Sequence, residues 1–357
     1  MYAGTRHTAQ GFTLVELLVV IAIIATLIGL TMPALTSVRE SGRRTACANN
    51  LKQLGAALAV YHQTYGLYPP SITLALADTG NPSSATNYYL NWIISILPQY
   101  DALPLYKSFV LTNSATDLTP VPISDARNIT PRGTRINSLC CPSDVGSQQP
   151  FSGDNGNWAR GNYAANASLV ILDQNNVGMS SSNWNVGWKR GLMGCNASAE
   201  PIDGASHTLL LSEVRIGLTD ADPRGTWAMG APGASSLWGH GSAEANGPNN
   251  CSLNSDLIQG GAGVQSSVGE AILEKQCMTC GSGNANQQAG VRSRHPGGAN
   301  VCMADGSIHF ISDYVDKRQS SSGSSGSPDP LTNRADMGTW ELLNASADHM
   351  SIDDSKW

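Results

Sequence analysis

The chain has few charged residues and very little phenylalanine. Charged side chains make up 13% of its 357 residues, about half of the roughly 25% that is usual in soluble domains. Only four residues are phenylalanine, so tryptophan and tyrosine must supply most of the aromatic packing. The net charge is −6, and no run of lysine or arginine follows residue 66. Without such a run nothing neutralises phosphates, which excludes a nucleic-acid partner.

Recognisable catalytic spacings are also lacking. Histidines and carboxylates occur, but none of them has the spacing of a nucleophile elbow, a zinc-protease helix or a glycosidase pair. His295 precedes Pro-Gly-Gly and Asp203 precedes a glycine. A tight loop explains each of them, and we expect His295 to cap its loop against the turn at 305–306. The sequence predicts a protein that is not an enzyme and needs no cofactor.

One long apolar segment lies near the start of the chain. Residues 17–38 are 22 positions without a charge, enough for a helix to cross the roughly 30 Å hydrocarbon core of a bilayer. Glu16 precedes this stretch, and a carboxylate inside hydrocarbon is costly unless it is paired. A secretory signal peptide has its small-residue cleavage site after the apolar stretch, whereas here Gly11 comes before it. The pattern predicts one transmembrane helix that stays on the mature protein.

The segment GFTLVE at 11–16, with the apolar tract through Pro33, resembles the amino terminus of type IV pilin-like precursors. The resemblance implies that a prepilin peptidase cuts between Gly11 and Phe12 and methylates the new amine on Phe12. It also implies that Glu16 registers subunits by pairing with the terminal amine of a neighbouring copy. The alternative is a generic signal anchor. Pilin-like precursors have the leader in the cytoplasm. The distribution of positive charges favours the opposite orientation, because one arginine precedes the span and three follow it closely.

Beyond Pro33, which is expected to kink or loosen the helix, the pattern becomes amphipathic. One face carries Leu51, Leu54, Leu58, Tyr61 and Tyr65. Gly66 and the following Pro-Pro pair end the helix. The predicted organisation is a leader at 1–11, a spine helix at 12–66, an exported β-rich domain at 67–317, and a Ser/Gly linker with a tail at 318–357.

The fold class predicted is α+β: a long amino-terminal helix, membrane-embedded in its first half, packed on a loop-rich and largely antiparallel β domain. The strand candidates are residues 169–172, 208–214, 300–304 and 307–312. Asp305-Gly306 joins the last two. An Asp-Gly step between apolar runs predicts a hairpin with a type I′ turn, in which both central residues have positive φ.

Four segments resemble the DUF1559 family. They are RRTACANNLKQLGAALAVYHQTYGLYPP, LCCPSD, IDGASHTLLLSEV and SRHPGGANVCMADGSIHFIS. The last follows the H-x9-DG pattern of the family with His295, Asp305 and Gly306, for which we expect a structural role. The resemblance implies an architecture and a location, and it leaves the biochemical activity open.

Eight cysteines are present, and an even number in an exported domain favours disulfides. Eight cysteines allow 105 pairings, so the sequence does not choose among them. The candidates are Cys140, Cys141, Cys195, Cys251, Cys277, Cys280 and Cys302. The adjacent Cys140 and Cys141 are expected to take different partners. Cys47 is interpreted as a small buried residue or a link between subunits. The Cys277–Cys280 spacing leaves a metal or redox pair as the alternative.

Two further ligand types are open alternatives. Oxygen-rich loops around Asp154, Asp220 and Asp222 could hold calcium, although ordinary Asx turns explain the same residues. Several tryptophans lie among asparagine and glycine, where they could stack on a carbohydrate or form the core. They are Trp158, Trp184, Trp188, Trp227 and Trp238.

These observations predict a pilin-like subunit, of the minor pilin or type II secretion pseudopilin kind, anchored in the bacterial inner membrane by a single span. Its globular domain would face the periplasm or the cell surface. Its partners would be prepilin peptidase, other pilin-like subunits and the membrane. The alternative is a membrane-tethered carbohydrate- or solute-binding protein that uses the pilin-like helix only for targeting.

Overall fold

The computed structural model describes residues 13–75, 88–146, 148–180, 182–239, 247–281, 287–317 and 334–352. The predicted leader at 1–11, Phe12 and the low-complexity linker at 320–330 lie outside these ranges. The chain forms two compact units, one ending at Arg43 and the other beginning at Arg44. The second half of the predicted spine helix therefore belongs to the globular unit.

Helix α1 covers Leu14–Tyr65 and continues through Pro33. It begins with a reciprocal cap. The Glu16 carboxylate accepts hydrogen bonds from the Thr13 backbone N–H (2.9 Å) and hydroxyl (2.7 Å), while the Thr13 hydroxyl accepts from the Glu16 N–H at 3.3 Å. This is the capping box expected of a Thr-x-x-Glu sequence. The helix ends as predicted, because Gly66 takes a positive φ of 73° and its N–H donates to His62 O.

A five-stranded sheet forms the centre of the globular unit, in the order β5-β3-β4-β6-β7. Its strands are β3 (Tyr163–Ser168), β4 (Leu209–Glu213), β5 (Ser236–Trp238), β6 (Gly298–Met303) and β7 (Ile308–Ser312). Three neighbouring pairs are antiparallel, and β3 pairs with β5 in parallel. A small antiparallel sheet consists of β1 (Ile72–Leu74) and β2 (Tyr88–Asn91). The α+β class with a largely antiparallel sheet is confirmed.

Six short α-helices follow α1 in the described residues, besides several 3₁₀ turns. They are α2 (Trp92–Ile96), α3 (Leu103–Ser108), α4 (Ile129–Arg132), α5 (Gly261–Val268), α6 (Glu270–Lys275) and α7 (Thr339–Asn344). Much of the rest of the described ranges is loop, in keeping with the glycine, asparagine and serine content of the chain. Helix α7 lies in the predicted tail, and its Trp340 and Leu343 are fully buried. This part of the tail therefore packs on the domain.

The core of the globular unit begins at the second half of α1. Leu51, Leu54 and Leu58 are fully buried there, as the amphipathic stripe predicts. Tyr61 is partly buried, but Tyr65 is exposed, so the stripe ends one turn earlier than predicted. The large core cluster joins these leucines to side chains from the sheet, α2 and the loops between them. Burial of this face fixes the second half of α1 on the domain.

The strand predictions were right for three segments and wrong for one. The segments 208–214, 300–304 and 307–312 correspond to β4, β6 and β7. The segment 169–172 is not a strand, because β3 ends at Ser168 and the Val170 N–H turns back to the Ser168 hydroxyl. The small, polar sequence YAANAS of β3 lacks the apolar alternation that marks a strand.

The hairpin between β6 and β7 forms at Asp305-Gly306, but its turn is not type I′. Only Gly306 has a positive φ (83°). The Gly306 N–H donates to Met303 O and the Met303 N–H donates to Ser307 O, each at 2.9 Å. This is a three-residue loop with glycine at the left-handed position. The Asp305 carboxylate accepts the Ser307 N–H at 2.8 Å, which stabilises the tight turn.

Gly55 on α1 lies close to the β6–β7 hairpin. A Cβ added there would lie 2.6 Å from Cys302 Sγ, and Cys302 is fully buried. We expect Gly55→Ala to lower the free energy of unfolding by about 1–3 kcal/mol, the usual cost of overpacking a core. Urea unfolding of the detergent-solubilised full chain, followed by tryptophan fluorescence, measures this change.

Gly42→Ala is the matched control for that substitution. Gly42 lies on the same helix, and an added Cβ would meet nothing within 4 Å. Alanine is about 0.5–1 kcal/mol more favourable than glycine inside a helix, so no loss of stability is expected. Equal losses at both positions would contradict close packing at Gly55.

Candidate functional site

The first half of α1 presents apolar side chains to its surroundings all around the helix. Every described residue from 13 to 39 is exposed in the structure, including Leu14 at 75% and Leu30 at 78%. The segment is long and apolar enough to cross a membrane. A helix that is apolar on all sides needs an apolar environment on all sides.

A second candidate site is a buried polar cluster around His295, the histidine of the H-x9-DG pattern. The His295 side chain is fully buried, with Nε2 at 3.5 Å from Cys141 Sγ and 3.4 Å from Glu213 Oε1. Cys141 is bonded to Cys47 of α1 in a disulfide. The ligand atoms of these four residues all lie within 4.8 Å of one another. We call Cys47, Cys141, Glu213 and His295 the motif cluster.

Each member of the motif cluster comes from a different element. Cys47 lies on α1, Cys141 follows a short 3₁₀ turn, Glu213 ends β4, and His295 precedes β6. The Glu213 carboxylate accepts hydrogen bonds from the backbone N–H (3.0 Å) and the side-chain amide (2.8 Å) of Asn300 on β6. The disulfide thus joins α1 covalently to the domain at the point where two central strands begin and end.

The LCCPSD segment is fixed by a second buried network. The Cys141 N–H donates to Asn162 Oδ1 at 2.8 Å, and the Asn162 side-chain amide donates to Asp144 Oδ2 at 2.7 Å. Asp144 Oδ2 also accepts the Ile216 N–H at 2.7 Å. These bonds hold Cys141 against β3 and the end of β4, so the sulfur reaches α1.

The two parts of the H-x9-DG pattern lie at opposite ends of β6, which corrects the expectation that His295 caps its loop against the 305–306 turn. His295 precedes the six-residue strand, whereas Asp305 and Gly306 follow it. At about 3.4 Å per residue the strand separates them by roughly 20 Å. Asp305 and Gly306 close the hairpin, and only His295 belongs to the motif cluster.

The described structure pairs four of the eight cysteines. The disulfides are Cys47–Cys141 and Cys251–Cys277. Cys47 is fully buried, which agrees with one interpretation, but its bond to Cys141 of the same chain contradicts a link between subunits. The remaining candidates, Cys140, Cys195, Cys280 and Cys302, are thiols, so Cys140 and Cys141 do not both form disulfides. Cys277 is bonded to Cys251 and not to Cys280, so the two cysteines of the Cys-x-x-Cys segment do not form a redox pair in this structure.

The free thiols are shielded from ionisation. Burial raises the pKa of the Cys302 thiol to about 12 and that of the Cys280 thiol to about 11. Burial also raises the pKa of Cys140 and Cys195. The thiolate is the reactive form, so the raised pKa values disfavour reaction at these thiols, of which Cys140 is partly exposed and the other three are buried.

The candidate stacking tryptophans are mostly part of the core. Trp158, Trp184, Trp227 and Trp238 are at most 1% exposed, and Trp188 is partly buried. The Trp158 indole donates to Gly153 O and Asp154 O, and the Trp227 indole donates to Thr134 O. Rings enclosed in this way offer no face to a sugar in this conformation.

The three aspartates considered for calcium have different surroundings. Asp222 is fully buried and bound to Arg224, with Oδ2 at 2.7 Å from Nη2. Asp154 accepts the Gln259 amide at 2.8 Å, and Asp220 is exposed. Within the described ranges they do not form a group of converging ligands.

A buried charge network lies beside Asp222, and sequence reasoning missed it. Arg224 also pairs with Asp256 at 2.9 Å, and Asp256 pairs with Arg292 at 3.0 Å. All four side chains are at most 1% exposed. Burial opposes a charge on Arg224, but Asp222 and Asp256 raise its pKa above the ordinary value. The four charges cancel, which makes their burial tolerable.

Two family models match the chain. Residues 36–318 match the family described as "Protein of unknown function (DUF1559)", and residues 6–32 match the "Prokaryotic N-terminal methylation motif". The type II secretion system core protein G of Pseudomonas aeruginosa is 32% identical over 81 residues, which are 22% of this chain and 57% of that relative. The chain thus spans just over half of the length of this relative. No solved structure matches.

A methylation motif at the start of a long apolar helix, with an α+β domain on the second half of the same helix, defines a pilin-like protein. The family match covers most of the chain. The chain belongs to the DUF1559 family.

Proposed function

We propose that this chain is a structural subunit of a pilin-like assembly, of the minor pilin or type II secretion pseudopilin kind, anchored in the bacterial inner membrane through the first half of α1. The observation that carries the proposal is the exposure of every described side chain from 13 to 39. Such a surface is stable only in lipid or against other apolar helices. The methylation motif and the similarity to core protein G support contact with apolar helices of other subunits as well as contact with lipid.

The globular unit would lie outside the cytoplasm, in the periplasm or on the cell surface. The two disulfides support this location, because disulfides persist in oxidising compartments and are rare in the cytosol. Prepilin peptidase and other pilin-like subunits are the partners proposed. No catalytic role or calcium requirement is needed for this function.

Processing at Gly11–Phe12 is the first consequence to test. Intact-mass analysis of the full chain, extracted from membranes of cells with a prepilin peptidase, should give a protein that begins at methylated Phe12. A Gly11→Val variant should keep residues 1–11, because the bulkier side chain occupies the position on the amino side of the cut. Gly29→Val is the control. It changes a glycine inside the apolar tract and should leave the cut unaffected.

An unprocessed wild-type chain in cells with active peptidase would contradict the proposal. Cleavage on the carboxyl side of the apolar tract would contradict it equally, because the helix would then be a removable signal sequence.

A further inference from the structure

The motif cluster has the composition of a transition-metal site. Cysteine, histidine and glutamate supply the sulfur, nitrogen and oxygen ligands that zinc takes in proteins. All four residues are buried, and the cluster contains two ionisable side chains, Glu213 and His295, next to a disulfide. A disulfide is neutral and needs no ionisable neighbour, whereas burying a carboxylate is costly without a partner. Glu213 has such partners here, His295 at 3.4 Å and two hydrogen bonds from Asn300, so the fold holds a histidine and an oriented carboxylate beside two sulfurs.

The distances within the cluster agree with tetrahedral coordination. With zinc–nitrogen and zinc–oxygen bonds of about 2.0–2.1 Å and zinc–sulfur bonds of about 2.3 Å, ligand atoms of a tetrahedral site lie about 3.4 Å (N to O) and about 3.6 Å (N to S) apart. His295 Nε2 lies 3.4 Å from Glu213 Oε1 and 3.5 Å from Cys141 Sγ. These two separations therefore agree with those of a tetrahedral site, although Cys141 Sγ is bonded to Cys47 in this structure.

The surroundings of Glu213 also match a metal site. Ligating carboxylates are usually held by hydrogen bonds from outside the coordination sphere. The backbone and side chain of Asn300 each donate to one oxygen of Glu213. Since Asn300 and Glu213 lie on adjacent strands of the central sheet, the carboxylate is fixed before any ion binds.

We propose that the chain with Cys47 and Cys141 reduced binds one Zn²⁺ through Cys47, Cys141, Glu213 and His295. Binding forms two Zn–S bonds, one Zn–N bond and one Zn–O bond, and the two thiol protons pass to solvent. No electron is transferred. The newly made chain carries both cysteines as thiols, so the zinc form needs no reductant. The disulfide in the structure is the two-electron oxidised form of the same pair, and it excludes the ion.

Metal titration of the full chain tests this site. The chain is purified in detergent without oxygen, with a reductant present, and stripped with a chelator. Zinc is then added in competition with a chromophoric chelator. We expect one zinc per chain, and Co²⁺ in place of zinc should give thiolate-to-cobalt charge-transfer absorption. Asn300→Ala should weaken zinc binding by about 10–100-fold, the usual effect of losing an outer partner. His295→Ala and Glu213→Gln should weaken it at least as much.

The second disulfide provides the matched control. The double variant Cys251→Ser with Cys277→Ser should bind zinc as the wild type does, because those cysteines lie outside the motif cluster. The double variant Cys47→Ser with Cys141→Ser should bind none. In the wild type, zinc should slow alkylation of Cys47 and Cys141 but not of Cys251, which is exposed.

The alkylation measurement needs no variant, so it decides the question even if a substitution prevents folding. Absence of zinc uptake by the reduced wild type would overturn the proposal. Equal alkylation rates of Cys47 and Cys141 with and without zinc would overturn it too, as would unchanged uptake by the Cys47→Ser, Cys141→Ser variant.

Discussion

Replacing Arg224 by methionine is expected to lower the free energy of unfolding by about 3–5 kcal/mol, the usual cost of removing one partner from a buried ion pair. Arg224 binds Asp222 through Nε and Nη2 and binds Asp256 through Nη1. Asp222 and Asp256 are at most 1% exposed. Without Arg224, Asp256 keeps Arg292 as its partner, whereas Asp222 loses its closest charged partner. Methionine keeps the apolar volume, so the effect measures charge more than packing.

Urea unfolding of the full chain in detergent measures this loss through the fluorescence of the buried tryptophans. Arg127→Met is the matched control. Arg127 pairs with Asp125 at 2.9 Å on the surface, where both side chains are partly exposed. Exposed pairs contribute about 0.2–1 kcal/mol. A loss at Arg224 no larger than the loss at Arg127 would contradict a structural role for the buried network.

The sequence predicted well the features that depend on neighbouring residues. The apolar tract, the amphipathic stripe and the glycine after Tyr65 give the bounds of α1 because helix periodicity and termination are local properties. Asp305-Gly306 likewise marks the β6–β7 hairpin. The predicted turn type was wrong, because the length of the loop selects the turn and depends on how the two strands pair.

The motif cluster was beyond sequence reasoning for a different reason. Its members come from positions 47, 141, 213 and 295, and only the packing of α1, β4 and β6 brings them together. Pairing eight cysteines is likewise undetermined by composition. One signal was available: Glu213 is the only charged residue in the strand segment TLLLSEV. A lone carboxylate at the end of a buried strand indicates a partner in the core.

The buried arginine network could have been suspected from the same kind of signal. Charge is rare in this chain, yet Asp222 and Arg224 stand two residues apart beside the apolar segment that follows. Their partners Asp256 and Arg292 are distant in sequence, so the network itself required the structure. The tryptophans show the converse case, because composition allowed both core and surface and only burial distinguished them.

We expect assembly to depend on one side chain, that of Glu16. In the isolated chain its carboxylate caps α1 by accepting from Thr13. In an assembly the same carboxylate would lie among apolar helices, where an unpaired charge is costly, and the amine of a neighbouring Phe12 would satisfy it. Glu16→Ala should therefore abolish crosslinked multimers while leaving the processed chain in the membrane.

Glu40→Ala is the matched control, because Glu40 is a carboxylate on the same helix that pairs locally with Arg43 at 3.5 Å. Its removal should leave assembly intact. A membrane-tethered binding protein, the alternative function, would stay monomeric in every background and would not respond to Glu16.

The most direct measurement is crosslinking of cells that express the wild type, Glu16→Ala or Glu40→Ala, with intact mass to verify processing of each chain. For a pilin-like subunit, ladders form in the wild type and in Glu40→Ala and disappear in Glu16→Ala. Processed chains that give no ladder in any background, or equal ladders in all three, would contradict assembly through the amino-terminal helix.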